Sequence, residues 1–416
     1  MRTKPLQRLL AVVLILGAAV SVPVGAAGAD TDNWGPSVPG QFIARLSPGA
    51  DPSAINRAVQ GVAAPEELTP ASSIWLFRLD ADVDASTGVT RLTQQSGVID
   101  PQPNVTADLP EFFGTRRYFW TDHAPADPSS PRSAYSVTQP ALGRAGLPST
   151  QTTGAGIVVA VLDTGIDASH PDLSARLAPG GRDFVDDDND PSEVANGRDD
   201  NANGEVDEAY GHGTYVSGII ALVAPGAKIL PVRILDSDGT TSAWKIMRGV
   251  RHADDNGASI ANLSLGGLDL GELVEKELEQ AFKSGLLLVA AAGNENTSDL
   301  RYPAANPGVL GVTAINGTTG AKATFANHGS WIDVAAPGVE VISTYPDARW
   351  ARWGGTSAAA PVVSGTAALV TEAMPGADSD DVLDRITATS RSDQIGGVCA
   401  YGAIDATAAV RRALTG

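Results

Sequence analysis

From Gly154 onward the sequence repeats one theme: a near-continuous apolar run of strand length, then a segment with helical spacing. The runs are 157–162 (Ile-Val-Val-Ala-Val-Leu), 228–235, 259–265, 286–292 and 309–315, and the helical segments are 242–256, 271–284 and 357–374. A strand that is apolar on both sides must be covered on both faces. The repeat therefore predicts an α/β unit, a mostly parallel twisted sheet with helices on both faces. In such sheets the reactive groups collect outside the carboxyl ends of the strands. Candidate catalytic residues should therefore follow strands or open helices.

The rest of the chain reads differently. A prior of about 100–200 residues per domain allows two or three units in 416 residues. Residues 39–110 alternate in short periods: 41–46 reads as a strand, 52–62 as a helix and 73–79 as a second strand, which makes a small α+β unit. Residues 104–153 are rich in Pro, Ser, Asp and Thr, with Pro125, Pro128, Pro131 and Pro140, and read as a processing linker or a loop wrapped on the next domain. At the N-terminus, Arg2, Lys4 and Arg8 precede an apolar run from Leu9 to Val20 and a small-residue site, Ala27-Gly28-Ala29. That order describes a secretory signal peptide cleaved after Ala29. The run falls short of the ~20 residues a spanning helix needs, so no stable membrane anchor is expected. A net charge of -19 argues against a nucleic-acid partner, which requires basic patches. Cys399 is the single cysteine, so no intrachain disulfide forms, and it reads as a small apolar residue.

Three residues sit where the fold argument places chemistry. Asp163 follows the first strand in Val161-Leu162-Asp163-Thr164-Gly165. His212 stands in Gly211-His212-Gly213-Thr214 before an apolar helix. Ser357 opens a helix in Gly354-Gly355-Thr356-Ser357-Ala358-Ala359-Ala360-Pro361. Each alone has a bland explanation, as a loop aspartate, a structural histidine or an N-cap serine. Together, in this order and with these neighbours, they resemble the subtilisin (subtilase) family at each of its three signature segments. Asp167 to Leu173, Ser264-Leu265-Gly266-Gly267 and Ala291-Ala292-Gly293-Asn294 are also similar to that family. The resemblance runs from Gly154 to the C-terminus.

The resemblance implies a serine endopeptidase in which Ser357 attacks a peptide carbonyl and His212 takes and returns the proton. Asp163 would hold the imidazole in the required tautomer. Asn294 is implied as the side-chain donor to the oxyanion, beside the N–H of Ser357. Three positions depart from the usual pattern, with Tyr215 and Val362 where histidine is common and Ala358 where methionine is. None is a proton-transfer group. The resemblance also implies a division into a signal peptide (1–29), an inhibitory and chaperone propeptide (30–115), a processing linker with the mature N-terminal segment (116–153) and a catalytic domain (154–416). The propeptide would act as an intramolecular inhibitor, and cleavage would fall between about Ala107 and Ser133. The expected product is a secreted monomer acting on protein and peptide substrates.

The same family context implies that Ser264, Leu265, Gly266, Ala291, Ala292 and Gly293 bind an extended peptide by strand addition. Arg301 falls near the floor of the first specificity pocket, where a guanidinium favours an acidic substrate side chain. The alternative, and the preferred one, turns Arg301 outward on a loop of different length. Between Asp163 and His212 lies an acidic stretch with Asp186, Asp188 and Asp190, then Asp199, Asn201, Asn203, Gly204 and Asp207. Oxygen side chains at every second residue followed by Gly match the first half of a Ca²⁺ loop, although Tyr210 stands where its glutamate belongs. Calcium is the expected cofactor, with a solvated acidic loop as the alternative; zinc is disfavoured because soft ligands are missing. Two other readings stay open at this stage: a calcium-binding or adhesive protein on a protease-like scaffold, and a serine esterase, although the latter's Gly-x-Ser-x-Gly elbow is missing.

Overall fold

A computed structural model describes residues 34–70, 72–111, 127–147, 151–392 and 395–415. The expected signal peptide and most of the interval expected to hold the processing bond lie outside the described residues.

The first unit carries strands β1 (Ser37–Leu46), β2 (Glu66–Glu67), β3 (Ile74–Arg78) and β4 (Val98–Asp108), with helices α1 (Pro52–Ala58) and α2 (Ala85–Thr93). Both helices start on aspartates, Asp51 and Asp84, whose carboxylates accept the first-turn amides of Ser53 and Thr87. The antiparallel order is β2-β3-β1-β4, and β4 continues onto β8 (Thr240–Ser242) of the second unit. Alternate residues of these strands serve two cores. Phe42, Ala44 and Phe77 pack on the unit's own helices, whereas Ile43, Leu76 and Val105 belong to the core of the second unit.

The second unit is an eight-stranded sheet that is parallel throughout, with order β15-β12-β11-β10-β9-β5-β7-β6. Its strands are β5 (Val158–Asp163), β6 (Arg182–Asp183), β7 (Lys228–Arg233), β9 (Ile260–Leu263), β10 (Leu287–Ala291), β11 (Val309–Ile315), β12 (Val334–Pro337) and β15 (Gly402–Ala403). Val159 and Val161 face α3 (His212–Val223) and α6 (Thr356–Ala373). Ala160 and Leu162 face α4 (Ala243–Asp255) and α5 (Glu272–Ser284). Burial of each such valine or leucine stabilises the fold by about 1.5–3 kcal/mol, so a charge at Val161 would abolish this packing. Two further helices, α7 (Ser379–Thr389) and α8 (Ala406–Thr415), and a hairpin of β13 (Val341–Tyr345) with β14 (Arg349–Trp353), complete the unit.

β4 departs from the expectation of a linker starting at Asn104. Residues 98–108 form a strand, and Gln102 and Asn104 are buried beneath helix ends of the second unit. The Asn104 side chain accepts the amide of Trp244 at 2.9 Å, and Gln102 accepts that of Leu273 at 3.1 Å. These are first-turn amides of α4 and α5, and α5 begins at Gly271, which brings no capping side chain of its own. The first unit thus supplies a cap that the second lacks.

Candidate active site

Asp163 ends β5, His212 opens α3 and Ser357 lies in the first turn of α6, all on the carboxyl side of the sheet. All three are buried. The Asp163 Oδ1 accepts from Nδ1 of His212 at 2.7 Å and from the backbone N–H of Thr164 at 2.8 Å. So close an approach of helix to strand end requires Gly213, because a Cβ there would lie 2.2 Å from the carbonyl oxygen of Gly165. The indole of Trp353 meets the His212 ring edge-to-face at 5.4 Å.

The turn at Ser357 is shaped by two side chains. Pro361 has no N–H, so the Ser357 carbonyl four residues earlier loses its helical partner. The hydroxyl of Ser264 donates to that carbonyl at 3.0 Å instead, and Asn262 donates to Ser264 at 2.9 Å. Asn294 accepts the backbone N–H of Thr356 at 2.9 Å through Oδ1, which turns its Nδ2 donor toward the cleft.

Glu111 occupies the space among these groups, three residues beyond β4. Its Oε1 accepts the Ser357 hydroxyl and, at 3.3 Å, Nδ2 of Asn294. Its Oε2 lies 3.9 Å from Nε2 of His212, and neither of those two atoms has a hydrogen-bond partner. A Cβ on Gly355 would fall 2.0 Å from Oε1, so a larger residue there would displace the Glu111 carboxylate. Burial alone would lower the His212 pKa. The charge and hydrogen bond of Asp163, then the charges of Glu111 and Glu193, overcome this and hold it raised from 6.5 to about 9. With Glu111 in place His212 is an imidazolium at neutral pH, paired on both sides by carboxylates.

The chain segment that carries Glu111 is held as an added strand. Asp108 exchanges backbone hydrogen bonds with Gly266 at 3.0 and 2.9 Å, and residues 106–108 pair with β8 on the other side. Leu109 donates to the carbonyl of Gly239 at 3.0 Å. The Ser264–Gly266 segment therefore meets an extended chain, here the protein's own. Of the other anticipated residues, Leu265, Ala291 and Ala292 are buried. A Cβ on Gly293 would meet Asn327, Glu295 and Arg301. Arg301 does not turn outward: its side chain is 9% exposed and bonds Glu295 Oε1 at 3.4 Å, which offsets its charge.

The acidic stretch divides. Asp186 pairs with the buried Arg233 at 2.6 Å, while Asp188 and Asp190 close local turns on the amides of Asp190 and Ser192. These three do not form a common metal cage: Asp186 is drawn to Arg233, while Asp188 and Asp190 each serve a local turn. Asp207 also turns away, accepting the amides of Asn196 and Gly197. Asp199, Asn201 and Asn203 do gather, with Asp199 accepting the amides of Asn203 and Gly204 at 3.0 and 2.8 Å. Glu208, which the Tyr210 register overlooked, bonds both Asn201 and Asn203, and its Oε2 is buried without a partner. Among the described residues no three His, Cys, Asp or Glu side chains stand together as a metal cage. Cys399 is half-buried and burial pushes its thiol up to about 11, in keeping with an inert residue.

Sequence reasoning did not identify Glu111, Glu193, Glu208 or Arg233. Glu111 and Glu193 act from outside the motifs, and only the buried partners reveal them. Among the described residues no helix is long and apolar enough to cross a membrane.

Comparison with known proteins agrees with this geometry. The fold resembles that of fervidolysin from Fervidobacterium pennivorans, with a TM-score of 0.72 at 24% identity over 90% of this chain and 61% of that one. A Pseudoalteromonas arctica protease structure aligns with a TM-score of 0.60 at 31% identity, covering 70% of this chain and 99% of that one. Subtilisin BL of Lederbergia lenta is 38% identical over 68% of this chain and 99% of its own length. Subtilisin E of Bacillus subtilis is 36% identical over 63% and 66%. The subtilase family model matches residues 154–403, the stretch that holds the parallel sheet and the Asp163, His212 and Ser357 segments, and on that match the chain belongs to the subtilase family of serine endopeptidases.

Proposed function

We propose that this endopeptidase works through Asp163, His212 and Ser357 and is made as a secreted precursor blocked by its own residues 30–115. The observation that carries the reading is the 2.7 Å Asp163–His212 bond beside a cleft filled by residues 106–111 of the same chain. With a substrate in place of Glu111, a neutral His212 takes the Ser357 proton as the hydroxyl attacks the scissile carbonyl. Asp163 stabilises the resulting imidazolium. Nδ2 of Asn294, the Ser357 N–H and the positive end of α6 receive the developing oxyanion. His212 then protonates the leaving amine, and water repeats the sequence on the acyl-enzyme.

Substrate residues would enter as residues 106–108 do, between β8 and the Ser264–Gly266 segment, with Gly293, Ala291, Ala292 and Arg301 bordering the first pocket. Because Glu295 neutralises Arg301, this pocket gains little preference for an acidic side chain. The domain limits we propose are 1–29 for export, 30–115 for the blocking unit, 116–153 for the linker and mature N-terminal segment, and 154–416 for the catalytic unit. The N-terminal basic, apolar and small-residue order supports secretion. A monomer is proposed. We propose calcium as a structural ion held by Asp199, Asn201, Asn203 and Glu208. The orphaned Glu208 oxygen fits a hard cation there, which would tie the loop down.

Mass spectrometry of the full chain and its Ser357→Ala variant, before and after incubation with calcium, tests the reading. The wild type should lose a fragment ending in the linker and then digest casein, while the variant stays intact. If wild type and variant are cut alike, another protease does the processing and the self-cleavage reading fails.

A further inference from the structure

Glu193 lies outside every motif, in the segment between β6 and α3. The residue is half-buried, but its carboxyl end points inward. Oε1 accepts the backbone N–H of Thr214 at 2.9 Å and the hydroxyls of Thr214 and Thr164, both at 3.2 Å. Oε2 accepts the N–H of Gly211 at 3.1 Å. Helix α3 starts at Gly211, which has no side chain to cap its first turn. Glu193 supplies that cap from 18 residues away and places its carboxyl at the positive end of the helix.

The same carboxylate reaches the other half of the pair. Thr164 follows Asp163, and its hydroxyl lies 3.4 Å from Asp163 Oδ1 while accepting the N–H of Gly213 at 2.9 Å. One carboxylate therefore ties the turn after Asp163 to the turn that opens at His212. No ion pair to Glu193 is found among the described residues. Burial raises its pKa, the amides of Thr214 and Gly211 oppose this, and the Asp163 charge adds to it. A capping side chain at position 211 would satisfy the helix alone, whereas Glu193 also holds the Thr164 hydroxyl beside Asp163.

We propose that Glu193 is a positioning residue: its carboxylate locks the Asp163 turn to the first turn of the His212 helix and so sets the Asp163–His212 contact. This rests on the reading of Asp163, His212 and Ser357 as the catalytic groups. The charges facing His212 are Asp163, Glu111 and Glu193; facing Glu193 are Asp163 and the phenols of Tyr210 and Tyr345.

The test uses the full chain with Glu193→Gln, which keeps the shape but puts an amide against N–H donors, and Glu193→Asp, which keeps the charge on a shorter arm. Peptide hydrolysis is measured after maturation. The His212 ring is titrated by NMR in the Ser357→Ala full chain, where five histidines make assignment practical. The expected result for Glu193→Gln is a kcat lower by about 10–100-fold with KM within about twofold, the scale of a misplaced catalytic group. Its His212 midpoint should also fall below about 9. Glu193→Asp should recover part of both. A wild-type kcat and midpoint in a folded Glu193→Gln chain, whatever its Tm, overturns the proposal, since a purely structural clamp changes only Tm. If Glu193→Gln yields no folded chain, Glu193→Asp decides on the same two readouts. Failure of a fluorophosphonate to label Ser357 in the matured wild type, together with a shifted midpoint, would overturn the triad reading and leave the Glu193 coupling standing.

Discussion

Glu111→Ala in the full chain should uncover Ser357. The Glu111 side chain is 7% exposed, bonds the Ser357 hydroxyl and Asn294, and faces the charged His212 ring at 3.9 Å. A buried hydrogen bond to a charged group contributes about 1.5–3 kcal/mol net, and about 1.4 kcal/mol is a factor of ten. Removing one such anchor, while the strand pairing of residues 106–108 stays, should open the cleft about 10–100 times more often. The assay is the rate at which a fluorophosphonate labels the full-length band, resolved by mass from any processed form. Labelling should rise by that factor in Glu111→Ala and by less in Glu111→Gln, whose amide still fits the space and accepts a hydrogen bond. Equal rates in wild type and Glu111→Ala would refute the reasoning, because they would mean that Glu111 does not cover the serine.

Four further outcomes follow from the site and its surroundings. Asn294→Ala should lower kcat by about 10²–10³ with KM nearly unchanged, the magnitude known for the oxyanion donor of subtilisin itself, checked by steady-state kinetics on a peptide. The rise of His212 from 6.5 to about 9 corresponds to about 3 kcal/mol in favour of the folded full chain. That contribution is fully present below pH 6.5 and disappears as pH rises through 9. Tm of the Ser357→Ala chain should therefore fall between pH 7 and 10, and less steeply with Glu111→Gln. Arg233→Ala should cost about 3–5 kcal/mol in denaturant unfolding, because it strands the buried Asp183 it pairs with at 2.5 Å. Chelation should lower the Tm of the wild type, and Glu208→Gln should remove that sensitivity while Asp188→Asn keeps it.

Much of the catalytic unit was legible because a buried parallel strand has to be apolar on both sides, and few other structures write that pattern. The strand from Val309 to Ile315 falls where the apolar run does, and the three helices expected at 242–256, 271–284 and 357–374 begin and end within a residue of those limits. β4 was not legible: Asp100, Pro101 and Pro103 break the alternation, and its order comes from pairing with β1, more than 50 residues earlier, and with β8, more than 130 residues later. The β13–β14 hairpin was hidden for a related reason, since its turn at Asp347 and Ala348 uses left-handed backbone without a glycine. Asp163, His212, Ser357 and Asn294 were visible because flanking small residues mark each one. Glu111 and Glu193 carry no such mark, as their partners are mostly backbone amides, hydroxyls and an imidazole contributed by distant segments. The acidic stretch misled for an electrostatic reason: an aspartate reads alike whether it awaits a cation or, like Asp186, already faces Arg233.

If the chain is cut as proposed, the pairing of β4 with β8 acquires a kinetic meaning. While residues 108 and 240 belong to one molecule, the segment 106–111 meets the cleft at an effective concentration set by its tether. Scission leaves every hydrogen bond of Asp108, Leu109 and Glu111 available but turns the block into a bimolecular equilibrium. Free enzyme would then appear only as fast as the severed unit dissociates and is diluted or digested. Activation would start slowly and accelerate, because each liberated molecule removes the inhibitor of others, and the lag would shorten as total protein increases.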